Sequence, residues 1–160
     1  MNLSIELIDV KWQKIFTIPQ GTVLQKGRKG PFYKELIDAS CRINDRFGVY
    51  AWGKDEKNIY YCGSFSKDYT SGKFKSNFHG RIAQYMGNHD GDTNKMVFDY
   101  INIALKSEDV NLFLLQYVSA NLNGSILLAT GCQDAGLIKL IERLLIYTNK
   151  TKGQVQWNRS

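Results

Sequence analysis

The chain has 160 residues, of which 43% are hydrophobic, 12% aromatic and 22% charged, with only two prolines. That length suits a single core, leaves no comfortable room for a recognition domain beside a catalytic one, and the composition excludes a disordered chain. Lys and Arg number 21 against 15 Asp and Glu, a net charge of +6 that favours polyanionic partners.

The cysteines, Cys41, Cys62 and Cys132, form no Cys-x-x-Cys pair for zinc or redox work and read as buried thiols in a reducing compartment. Met1 to Ile5 lack a basic stretch followed by a long apolar run, and no window approaches the roughly 18 apolar residues of a membrane span. A cytoplasmic protein without a membrane partner is expected.

In chain order, the first marked feature is the glycine-punctuated stretch from Gln25 to Pro31. Lys26, Arg28, Lys29 and Lys34 stand here with no acid between Lys26 and Lys34, which predicts a basic loop. Phe32 to Ile43 has helical spacing after Pro31. Two β-rich runs, Phe47–Trp52 and Asn58–Gly63, flank the polar connection Gly53–Lys57 and predict a β-hairpin. Helices are predicted over Phe78–Met86 and Met96–Leu105, with turn chemistry between them at Asn88–Asn94. Val110–Ser119 reads as a buried strand, and Ser125–Thr130 stands between a strand and the approach to a helix. The last predicted helix, Asp134–Thr148, carries Leu137, Leu140, Ile141, Leu144 and Leu145 at i, i+3, i+4, i+7 and i+8. Glu142 falls at the border of that stripe, about 100° from its centre, as a half-sheltered carboxylate. No acid follows it, while Arg143, Lys150, Lys152 and Arg159 do.

The hairpin sets Gly48-Val49-Tyr50 on its first strand and Tyr61-Cys62-Gly63 on its second. Arg81 follows in a helix with Tyr85 one turn on, then Glu142 in Leu140-Ile-Glu-Arg-Leu-Leu145, then Asn158 in Gln156-Trp157-Asn158. In content and order these motifs resemble the GIY-YIG nuclease family, over residues 47–159. The resemblance implies an α+β fold with a small central antiparallel sheet of about three strands flanked by helices. Residues 47–160 would be the catalytic domain and 1–46 an N-terminal extension bearing the basic loop.

The resemblance also implies roles. Glu142 would be the sole protein ligand of one divalent ion, Mg²⁺ or Mn²⁺, and Arg81 would contact the phosphate. Tyr50 would position or deprotonate the attacking water, Tyr61 and Tyr85 would hydrogen-bond the phosphate or water network, and Asn158 would brace the site. The products would carry 5′-phosphate and 3′-hydroxyl ends. Cys62 stands where an aliphatic residue is usual, and Tyr85 where many members have histidine. The gap from Gly63 to Arg81 is long, so Ser64–Asn77 is expected to be an inserted, lysine-bearing loop, with a second insertion at Asn88–Asn94.

Other chemistries fit less well. Asp90-Gly-Asp92-Thr-Asn94 begins like a calcium loop but has Lys95 where glycine is needed and Ile101 where the bidentate glutamate belongs. His79 and His89 are too few and wrongly placed for an HNH-type centre, and Asp55-Glu56-Lys57 falls in the hairpin turn. What the resemblance implies is a divalent-metal-dependent DNA endonuclease, of restriction type. A repair or phage-type nicking nuclease, or a catalytically silent nucleic-acid-binding module, is the alternative. Double-stranded DNA would be gripped by Lys26, Arg28, Lys29 and Lys34 and tracked by Lys67, Lys73 and Lys75. Cutting both strands of a palindrome would suit a homodimer.

Overall fold

A computed structural model describes residues 5–27, 30, 32–43, 47–66, 77–87, 91–129 and 135–158. In chain order these form β1 (Ile5–Ile18), α1 (Tyr33–Cys41), β2 (Phe47–Asp55), β3 (Asn58–Ser66), α2 (Phe78–Met86), α3 (Asp92–Ala104), β4 (Val110–Leu122), β5 (Ser125–Ala129) and α4 (Ala135–Thr151). The sheet is antiparallel throughout and runs β1-β4-β2-β3. β4 pairs with β1 along one edge; its other edge is shared by β2, at Asn111–Leu114, and β5, at Val118–Leu122.

The fold is α+β as expected, but the sheet has five strands where about three were expected. β1 escapes a pattern reading because its register with β4 shifts at Leu7/Asp9, Lys11/Trp12 and Lys14/Phe16. Two of these shifts place an extra residue, Ile8 and Ile15, in β1, and each moves the following side chains relative to the two faces and breaks the period-2 signal. Ser125–Ala129 resolves as a strand, returned by Asn123 (φ 47°) and Gly124 (φ 88°) in a two-residue turn of the primed class. The hairpin connection is shorter than expected. β2 continues to Asp55, which pairs with Asn58, and the Asp55 carboxylate accepts from the backbone N–H groups of Lys57 and Asn58 at 2.9 Å each.

Two helical layers cover the sheet. Tyr50, Trp52 and Tyr61 of the hairpin pack with Phe78, Ile82 and Tyr85 of α2, Val97 and Ile101 of α3, and Leu36 of α1. On the opposite face, Val49, Ala51 and Cys62 pack with Trp12 and with Ile138, Ile141 and Leu145 of α4. Tyr50 thus faces one layer and its neighbours Val49 and Ala51 the other, as strand alternation requires.

The expected α4 stripe is corrected. Leu137 and Leu140 are 41% and 56% exposed, and the buried set is Ile138, Ile141 and Leu145. Apolar residues occupy most of this helix's circumference, so the period alone selects no unique stripe and docking against β2 and β3 decides the face. α3 begins at Asp92, so Asp92–Asn94 form its first turn, where an acid suits the positive end of the helix dipole. Among the described residues no helix is long and apolar enough to cross a membrane.

Candidate active site at the tyrosine hairpin

Tyr50 and Gly63 face each other across the β2–β3 pairing. The Tyr50 ring lies over Gly63 so closely that a Cβ there would overlap its Cζ and hydroxyl. Glycine is required at this position because the ring occupies the volume of a side chain. The ring is fully buried, with Tyr61, Phe78 and Tyr85 centred 6.3, 6.2 and 6.1 Å away. A buried phenol needs a partner, and the Tyr50 and Tyr85 hydroxyls bond each other.

Arg81 projects from α2 into this group. Its Nε donates to the Tyr50 hydroxyl at 3.3 Å, one Nη donates to Gln84 Oε1 at 2.9 Å, and its guanidinium carbon lies 5.8 Å from the Tyr85 ring centre. Asn77 starts the helix by accepting from Gly80 N at 2.9 Å, so Arg81 and Tyr85 share one face of a capped helix. Among the described residues no carboxylate pairs with Arg81; phenol and amide oxygens hold it. Its positive charge is half-buried.

Burial, with the adjacent Tyr61 adding and Arg81 opposing, pushes the Tyr50 phenol far above its ordinary range. Burial, followed by Tyr50 and Tyr61, does the same to Tyr85. Both phenols are neutral at any working pH, and their contacts are with Arg81 and each other instead of with solvent.

Glu142 stands on the other face of the sheet. Its side chain is 13% exposed, its Oε2 lies 2.9 Å from Lys139 Nζ, and it acts with burial to raise the Cys62 thiol. The structure thus gathers Tyr50, Tyr61, Arg81 and Tyr85 on one side of β3. Glu142 sits on the other, and no hydrogen bond or ion pair joins it to that group among the described residues. The link is the Tyr61-Cys62-Gly63 triplet, whose alternating side chains face both layers. Asn158 bonds the free edge of that triplet, accepting from Cys62 N at 2.9 Å and donating to Cys62 O at 2.8 Å.

The Lys139 side chain is 62% exposed, so solvent screens its ion pair with Glu142. A single hard-oxygen donor fits a divalent ion whose remaining positions are filled by water and phosphate. Among the described residues no group of three or more His, Cys, Asp or Glu side chains is placed to hold a metal.

Of the basic residues, Lys26 lies 5.2 Å from the Phe98 ring centre, and Lys34 is exposed in the first turn of α1. Arg28, Lys29, Lys67, Lys73 and Lys75 lie outside the described residues. Sequence reasoning missed Gln84, although its i+3 spacing from Arg81 was a usable signal. It also passed over Trp157 as a packing residue, which stacks between Tyr60 and Tyr100 at 5.0 and 5.6 Å. No protein-family model, curated protein or solved structure matches this chain.

Proposed function

We propose that the chain is a divalent-metal-dependent endonuclease that hydrolyses phosphodiester bonds in double-stranded DNA, of the restriction type. The observation that carries this reading is Arg81, a half-buried cation whose partners among the described residues are neutral. Such a charge attracts an anion, and in phosphodiester hydrolysis negative charge grows on the non-bridging oxygens, where a preorganised guanidinium stabilises it. Support also comes from the order of the GIY-YIG-like motifs and from Asn158 bracing the second triplet.

In this reading Arg81 binds the scissile phosphate. Tyr50 and Tyr85 are positioning residues that fix the guanidinium, because their buried, neutral hydroxyls neither reach solvent nor act as phenolates. Gln84 holds the other side of the fork. Glu142 would hold one Mg²⁺ or Mn²⁺ ion to stabilise charge at the leaving oxygen; standing across the sheet from Arg81, it reaches the same phosphate only if the two halves move relative to one another. Asn158 keeps β3 straight between the two halves, and the basic residues from Lys26 to Lys34 and from Lys67 to Lys75 supply backbone grip.

The test is incubation of supercoiled plasmid with the protein and Mg²⁺ or Mn²⁺. The parent is expected to yield discrete fragments, and Arg81→Ala and Glu142→Ala to lose at least about a hundredfold in rate. Relaxed circles alone would assign a nicking enzyme instead. Binding without cutting, or cutting unchanged in both variants, would overturn the proposal.

A further inference from the structure

Sequence reasoning expects buried thiols, and Cys62 is one, but Cys41 is exposed at the last turn of α1. Its Sγ lies 3.0 Å from Nδ1 of His79, in the first turn of α2. The pair joins two separate helices and takes no part in the arginine and tyrosine network. With the His79 proton on Nε2, the thiol donates to Nδ1 and the imidazole is placed to accept its proton.

We infer that Cys41 and His79 form a thiol–imidazole dyad that undergoes exchange with small disulfides. A thiol attacks poorly until its proton is removed, and an adjacent base removes it. In the reaction Sγ attacks one sulfur of the small disulfide, the S–S bond breaks and a mixed disulfide forms on Cys41. The departing thiolate takes up the proton that Nδ1 accepted. Cys41 is oxidised and half of the small disulfide is reduced, so no further oxidant is needed. The other described thiol does not compete, since Cys62 is buried.

The experiment follows the reaction of the folded chain with an aromatic disulfide near neutral pH, in a Cys132→Ser background, with the adduct located by peptide mass. One fast thiol mapping to Cys41 is expected, reacting on the order of tenfold faster than the same thiol in the urea-unfolded chain. His79→Gln should remove that advantage and Cys41→Ser should remove the fast phase. A folded-state rate no higher than the unfolded one, a fast phase surviving Cys41→Ser, or a His79→Gln chain as fast as its parent would overturn the inference. The folded-to-unfolded comparison decides the matter even if His79→Gln fails to fold.

Discussion

Tyr50 and Tyr85 hold their hydroxyls against each other in a region closed to water, and Tyr60 bonds Glu108 through its own hydroxyl at 2.6 Å. All three phenols are raised, Tyr50 and Tyr85 chiefly by burial and Tyr60 by burial and then by the Glu108 hydrogen bond. An unfolded chain releases these protons near the ordinary phenol value of about 10, whereas the folded chain keeps them. The stability they contribute is complete below that pH and is lost as pH rises above it. An ultraviolet titration of tyrosinate should therefore show Tyr50 and Tyr85, two of the nine tyrosines, ionising only as the chain unfolds. Simultaneous titration of all nine near pH 10 with the fold intact would contradict their burial. The Tyr50 hydroxyl accepts from the Arg81 guanidinium, and Gly63 leaves the room its ring needs.

At the scale of elements, the hairpin, α1, α2 and β4 were legible because their signals are local. Tyr, Trp and Phe alternate across a short polar turn, and Phe78, Ile82, Tyr85 and Met86 repeat at helical spacing. β1 was not legible, because its bulges are set by pairing with a strand some hundred residues away in the chain. The buried face of α4 was not legible either, since contact with Cys62 and Val49 chooses among several apolar stripes. The Asn123-Gly124 turn was a readable signal for β5 that the ambiguous run after it obscured. The tail from Gln154 to Asn158 runs along the open edge of β3, with Trp157 N donating to Tyr60 O at 2.6 Å and Gln156 Nε2 to Ile59 O at 2.8 Å. It covers an edge that would otherwise offer unpaired amides to another chain. Asn158→Ala should cost about 1–2 kcal/mol. Hydrogen exchange should show a faster Cys62 amide while β4 stays protected; an unchanged Cys62 amide would contradict the bracing role.

At the scale of the molecule, the sheet separates a helical layer carrying Arg81 from the helix carrying Glu142, with β3 between them. The residue types and their order were readable from the sequence, but this division was not, because motif spacing does not say on which face of a sheet a helix packs. The proposed chemistry requires both halves to act on one phosphate. Single-turnover cleavage of a duplex by the parent, Arg81→Ala, Glu142→Ala and the double variant measures that directly. If the two residues serve one transition state, the double variant should be about as slow as the slower single variant. Losses that multiply, as for independent sites, or a parent that does not cleave, would contradict the account.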